Sequence, residues 1–423
     1  TAEEIKDCVE NAYVGRFPHN DIAPLTAVGD DFILELYHGP TCAFKDVALL
    51  VLPQLMTRAK KKNNVKEKIL ILTATSGDTG SAALNGFADV EGTEIIVFYP
   101  KTGISVVQER QMTSCRGKNV HVCAVEGNFD DAQRGVKQIF ANAGDAVPGV
   151  VLSSANSINI GRLAPQIAYY FKAYKDLMAM GRIRCGEQVN FIVPTGNFGD
   201  ILAGYFAKKM GLPVAKLVCA SNENDVLTEF FATGSYKSKR PFHVTNSPSM
   251  DILVSSNLER LICMVCGQEK TKAYMEQLAQ TGEYTLTAEE LRTIRAEFEA
   301  GCTDNTETLR TIRGVYEAHK YLMDTHTAVA WKVCQDRKKE SDNGCVNVIL
   351  STASPYKFSG SVLEALTGEA VADTGFELMD RLHEMTGVPV PAALEEMKNT
   401  EPVHNDVVEK ALMERYVTEK GSN

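Results

Sequence analysis

Apolar positions in this chain fall into two kinds of run. KILILTAT (68–75), IIVFYP (95–100), VHVCAVEG (120–127), VNFIVPTG (189–196), AKLVCASN (215–222) and VNVILSTAS (346–354) are short and rich in β-branched residues. They predict buried strands. Between them the period lengthens to that of a helix, in SGDTGSAALNGFADV (76–90), SVVQERQMTSC (105–115), the segment beginning DDAQRGVK, the stretch from about 160 to 180, GNFGDILAGYFAKKMG (196–211) and DVLTEFFATG (225–234). Strand and helix in strict alternation predict mostly parallel sheets covered on both faces. The pattern weakens over 236–257, which is polar, carries Pro241 and Pro248, and reads as a long loop or small insertion. Helical segments fill 268–323, and the tail from about Val388 reads as helices over the surface.

Length adds that one core does not suffice: 423 residues predict two or three domains. Apolar content of 44% and charged content of 23% are ordinary for a globular protein. A formal net charge of −10 argues against a general nucleic-acid surface. No run is apolar enough to span a membrane, and TAEEIKDCVE does not resemble a signal peptide. The eleven cysteines are scattered, which fits thiols in a reducing compartment and predicts a cytoplasmic protein. The tight pair Cys263 and Cys266 reads as core packing, with redox or metal chemistry as the alternative.

Candidate chemistry lies where strands end. TSGDTGS (75–81), PTGNFGD (194–200) and STASPYK (351–357) are small-residue turns after strong strands, where open α/β sheets bind ligands. In PTGNFGD, Gly196 and Gly199 flank Asn197 and Phe198 directly before a helix, so backbone N–H groups and the helix dipole can meet a phosphate. It has neither the G-K-[ST] of a Walker loop nor G-x-G-x-x-G, and the bland alternative is a plain tight turn. TSGDTGS adds the hydroxyls of Ser76, Thr79 and Ser81 and the acid Asp78; helix capping also explains it. In SSANSINIGR (153–162), Asn156, Ser157, Asn159 and Arg162 suit a second oxyanion or a solvated helix start. His319, Asp324 and His326 lack zinc-helix spacing and read as capping. Lys45 in HGPTCAFKD sits between a turn and an apolar helical run, the electrostatically wrong end for a cation. Burial and the helix dipole there favour the neutral amine.

HGPTCAFKD, LTATSGDTGSAA, SSANSINIGR, PTGNFGD and STASPYKF, in this order, resemble the threonine synthase family of pyridoxal 5′-phosphate enzymes. The likeness is to the branch of fungi and enterobacteria, marked by Asp78 where many fold relatives carry asparagine. It implies fold type II: two open, mostly parallel sheets with helices on both faces and the cofactor in a cleft between domains. It further implies a smaller domain at 46–165, and a larger one from 1–45 plus 166–423 with an inserted loop near 236–260. Lys45 would form the Schiff base with the cofactor. Gly196, Asn197, Phe198, Gly199 and Asp200 would hold its phosphate, Thr352 would face the ring nitrogen, and Asp78 would lie near the 3′-oxygen. Ser76, Thr79, Asn156, Ser157 and Arg162 would bind the substrate, O-phospho-L-homoserine. The implied reaction is γ-elimination of phosphate and β-addition of water to give L-threonine. A phospholyase or dehydratase releasing a 2-oxo acid, or a non-catalytic relative, are the alternatives. The implied partners are the small-molecule substrate alone, without nucleic acid, metal or membrane, in a monomer or homodimer. Relatives carry further residues before the segment matching Thr1, so the chain is expected to be N-terminally shortened.

Overall fold

The computed structural model describes residues 1–142, 149–371 and 375–421. In chain order the strands are β1 (Leu25–Val28), β2 (Asp31–Glu35), β3 (Lys68–Ala74), β4 (Thr93–Pro100), β5 (Val120–Glu126), β6 (Val150–Ser153), β7 (Val189–Pro194), β8 (Val214–Ser221), β9 (Ser235–Lys237), β10 (Glu283–Thr285), β11 (Phe298–Cys302), β12 (Val346–Ser351) and β13 (Asp406–Glu409). The chain divides into two compact units. Among the described residues no helix is long and apolar enough to cross a membrane.

The first unit comprises 1–22, 37–165 and 372–423. Its sheet has the order β13-β5-β4-β3-β6 and every pair is parallel. The apolar runs are continuous because both faces are covered. Ile69 and Ile71 of β3 pack with Leu84 and Phe87 of one helix and with Met112. Leu70 and Leu72, pointing the other way, pack with Val136, Ile139 and Tyr416.

The second unit comprises 23–36 and 166–371. Its sheet runs β1-β2-β12-β7-β8-β11, parallel except for the antiparallel pair β1–β2. Helix Thr325–Ser341 packs across β12, β7, β8 and β11. Asp324 caps this helix by accepting from the amides of His326 and Thr327. Among the described residues no cluster of His, Cys, Asp and Glu fits a metal.

The structure divides the chain differently from the expected 46–165 against 1–45 plus 166–423. Residues 1–22, 37–45 and 372–423 join the 46–165 segment. The physical reason is pairing and packing: β13 adds to β5 in parallel, and helix Met413–Gly421 packs on helix Phe129–Asn142. The tail is therefore part strand, not only surface helix. The polar stretch near 236–260 is mostly loop, but it packs inward. Thr245, Ser247, Met250, Ser255 and Asn257 are buried. The Asn222 amide ties Thr245, Ser247 and Asp251 together through hydrogen bonds of 2.7–3.0 Å.

Burial also sets the chemistry of the cysteines. It pushes the thiols of Cys123, Cys219 and Cys334 up to about 12, and that of Cys266, at the end of helix Leu258–Cys266, to about 11. Thiolate is the reactive form. Iodoacetamide at pH 7.5 is therefore expected to label exposed Cys185 and to leave these four intact, as read by peptide mass spectrometry. Rapid labelling of Cys266 would restore the redox reading of the Cys263–Cys266 pair.

Candidate active site

Lys45 opens the short helix Lys45–Leu49 and is only 9% exposed. The turn before it is held from inside. Asp46 accepts from the amide of Thr41 at 2.8 Å and from its hydroxyl at 2.6 Å. Gly39 is required, because a Cβ there would come within 2.5–2.9 Å of the Asp46 side chain. Cys42 takes a left-handed conformation with φ 56°, unusual for a non-glycine residue. Behind Lys45, Gly86 lets helix Asp78–Phe87 lie directly on the carbonyl of Leu49, where a Cβ would meet the oxygen at 2.1 Å.

That crossing puts the first residue of the second helix opposite the lysine. Nζ of Lys45 lies 3.3 Å from Oδ2 of Asp78 and 4.8 Å from the centre of the Phe44 ring. The sequence points to a lysine that readily becomes neutral. The structure instead sets a buried carboxylate against it, which favours the ammonium form. Oδ1 of Asp78 accepts from Nε2 of Gln108 at 2.9 Å.

The remaining polar turns of this unit meet at the carboxyl edge of its sheet. β3 and β6 are parallel neighbours with Ile71 opposite Ser153, so the turns that follow them are adjacent. Asn156 joins them, donating from Nδ2 to the carbonyl of Ala74 at 3.1 Å. Its Oδ1 accepts from Ser154. Asn159 caps helix Ile160–Leu163, and Arg162 donates to the carbonyl of Ala155 at 3.1 Å. Ser76 is exposed and Thr79 half-buried, and neither side chain makes a hydrogen bond among the described residues.

The other candidates lie in the second unit. β7 and β12 are parallel with Ile192 opposite Ile349, so Thr352 stands level with Thr195 on the adjacent strand. Thr352 is buried, and its hydroxyl has no partner among the described residues. Gly196, Asn197, Phe198 and Gly199 form the turn into helix Gly199–Lys209. None of their four amide N–H groups donates to an acceptor among the described residues. Phe198 has φ 63°, a left-handed conformation that costs about 1–2 kcal/mol outside glycine. Its fully buried ring, packed near Phe231 and Phe298 at 6.1 and 5.7 Å, holds it there. Asp200 accepts from the amide of Ile201, and its carbonyl from Tyr170 at 2.6 Å. Burial, and then the Asp200 charge, hold the Tyr169 phenol well above its ordinary range.

This loop is supported by the segment that sequence reads as an insertion. The Asn197 carbonyl accepts from both the amide and Nδ2 of Asn257, at 3.1 and 2.9 Å. The Gly196 carbonyl accepts from Ser255 Oγ at 2.9 Å. A Cβ on Gly196 would lie 2.9 Å from the Ser249 carbonyl. Ser255, Asn257, Gln108 and Asp46 are the residues that sequence reasoning missed. Only Gln108 carried a signal: with Ser105 it matches the S-x-x-Q capping pattern, which speaks for a helix start and not for Asp78.

A buried lysine in one unit, a turn with open amides at a helix start in the other and strands that end on small-residue turns are features that an α/β pyridoxal-phosphate enzyme requires. The chain matches the family model described as "Pyridoxal-phosphate dependent enzyme" over residues 27–352, and "Threonine synthase, C-terminal" over 327–413. It belongs to the threonine synthase family. It is 40% identical over 372 residues to the threonine synthase of Pseudomonas aeruginosa, covering 87% of this chain and 77% of the relative. It is 38% identical over 424 residues to human threonine synthase-like 1, covering 96% of this chain but 56% of that protein. The chain thus spans about half the length of such relatives. Its structure superimposes on PLP-bound threonine synthase from Brucella melitensis with a TM-score of 0.87 and 37% identity, covering 100% of this chain and 85% of the other.

Proposed function

We propose that the chain is a threonine synthase, a carbon–oxygen lyase acting on phosphate that converts O-phospho-L-homoserine and water to L-threonine and phosphate. What supports this reading is that each unit carries turns suited to an oxyanion: the open amides of 196–199 in one, and the adjacent turns with Ser76, Thr79, Asn156 and Arg162 in the other. A simple dehydratase has no use for the second.

The residues fit pyridoxal phosphate. Four amide N–H groups without acceptors at a helix start can receive an anion. Thr352 offers an unpartnered buried hydroxyl, and Lys45 offers a buried amine. Gly196, Asn197, Phe198 and Gly199 would bind the cofactor phosphate through their backbone, with Asp200 fixing the helix start. The fully buried Phe198 side chain acts only by holding the turn. Bound there, the cofactor supplies the electron sink that lets the α and β carbons lose protons. Lys45 would hold the cofactor through its amine, and its Nζ is the group of this chain that would carry a substrate proton. Asp78, 3.3 Å from Nζ, would stabilise the ammonium form of Lys45, and it would also serve the 3′-oxygen of the ring. The neutral hydroxyl of Thr352 would partner the ring nitrogen without enforcing its protonation. Ser76, Thr79, Ser157 and Arg162 hold the substrate phosphate, and Asn156 keeps one N–H for it while aligning the two turns.

Incubation of the protein with pyridoxal phosphate and O-phospho-L-homoserine is expected to release phosphate and threonine in equal amounts. The same assay tests the alternative, a phospholyase. Release of 2-oxobutyrate and ammonia without threonine would sink the synthase reading. A protein that takes up no cofactor and stays colourless would sink both.

A further inference from the structure

Gln108 touches neither Lys45 nor any residue assigned to the phosphates, yet it is buried against Asp78. We propose that Gln108 is a positioning residue which, through Asp78, sets how firmly Lys45 holds its proton. The inference rests on the reading of Lys45 as the cofactor lysine.

The orientation of the Gln108 amide is fixed from two sides. Ser105 Oγ accepts from the Gln108 backbone amide at 3.2 Å, as the cap of helix Val106–Thr113. Its own proton therefore goes to Oε1 of Gln108, 3.0 Å away. With its oxygen committed to Ser105, the amide presents its NH₂ to Oδ1 of Asp78 at 2.9 Å. Gly77 keeps the amide in that place. At φ 143° its backbone lies flat on the side chain, and a Cβ would meet Cδ, Nε2 and Oε1 at 2.5–2.8 Å.

A donor aimed at Oδ1 favours the charged carboxylate. Were Asp78 neutral, its proton would sit on Oδ2, facing Nζ of Lys45. The pair thus shares one proton, and Gln108 biases that proton toward the lysine. This serves a base that must take a proton from carbon and keep it until the next step.

The other charged groups on the elements packed here have partners of their own. Asp46, on the lysine's own helix, is turned into the Thr41 turn. Glu109 accepts from the Tyr99 hydroxyl, and Arg110 donates to the Thr400 carbonyl. Arg162 donates to Ala155, Glu94 of β4 pairs with Lys68 and His121, and Arg58 with Asp7. Asp78 pairs with Nζ, and Gln108 donates to the other oxygen of that carboxylate.

The test uses the full chain freed of pyridoxal phosphate. The rate at which the visible band appears after mixing with the cofactor is measured from pH 6 to 10, since only the neutral Lys45 amine reacts. Gln108→Met is expected to move the profile about one pH unit lower, an increase of roughly 10-fold in rate below the midpoint. Asp78→Asn is expected to move it at least as far, and the double variant to coincide with Asp78→Asn. Ser105→Ala, which releases the amide orientation with Gln108 still present, is expected to act in the same direction, and it serves where the methionine variant does not fold. A Gln108→Met or Ser105→Ala profile that overlays the parent's, or an equal shift with and without Asp78, would overturn the proposal. Absence of any band in the parent protein would instead overturn the cofactor reading on which it rests.

Discussion

Lys45→Ala is expected to abolish the visible band formed with pyridoxal phosphate and all turnover of O-phospho-L-homoserine. Loss of a positioned proton carrier alone is worth about 10²–10⁴ in rate, and here the covalent hold on the cofactor goes with it. The variant also strips a buried carboxylate of its counter-ion, since Asp78 is almost fully buried. Breaking a buried pair from one side costs about 3–5 kcal/mol, so lost activity by itself could reflect lost folding. The double variant Lys45→Ala, Asp78→Asn separates the two effects. It removes the orphaned charge and keeps a side chain of the same shape. It is expected to regain thermal stability in calorimetry and to remain colourless and inactive. Turnover by either variant above background would remove Lys45 from the mechanism.

The same pair shows where sequence stops being informative. The strands β3, β4, β5, β7, β8 and β12 are legible because each is buried on two faces and therefore continuously apolar. β11, with Glu299, Ala300 and Gly301 at its centre, has no such signature, and it is a strand because β8 pairs with it in parallel. β13 is likewise made by β5. β1 and β2 form a hairpin across Gly29 and Asp30, whose φ of 60° at Gly29 permits a two-residue turn. The G-D pair between apolar residues is the local signal for that turn. The expected division failed at its ends for the same reason as β13, because a C-terminal tail reveals its sheet only through its partner.

At the site, sequence reaches the residues that shape backbone and stops at those that act through side chains distant in the chain. The glycine turns are visible because they directly follow apolar strands, at the edge where open α/β sheets bind ligands, and Lys45 because it opens an apolar helical run at the end that disfavours a cation. Gln108 is 30 residues from Asp78, and Asn257 is 60 from Asn197. No local pattern joins either pair. Cys42 and Phe198 adopt left-handed backbones without being glycine, so composition could not mark those turns as strained. The strain is held by tertiary contacts, in one case a buried aromatic ring and in the other the turn that closes on Asp46.

Asp46→Ala is expected to lower the stability of the first unit by about 3 kcal/mol, because two hydrogen-bonded donors lose their acceptor together. The amide and hydroxyl of Thr41 lie in a fully buried residue, and a buried donor left unsatisfied costs about 1–3 kcal/mol. The cavity is not easily refilled. Gly39 packs its Cα on the Asp46 side chain, so the turn would have to collapse onto the vacated space. Such a collapse moves Phe44 and the start of the lysine helix. With a fall in unfolding midpoint of about 2–4 °C per kcal/mol for a unit of this size, the first transition in calorimetry is expected to drop by roughly 6–12 °C. Asp46→Asn keeps one acceptor oxygen and the side-chain volume, and it is expected to cost about 1 kcal/mol. A midpoint for Asp46→Ala within a degree of the parent's would show that the turn before Lys45 is held by its apolar neighbours and not by this carboxylate. Lys45 would then owe its placement to the crossing at Gly86 alone.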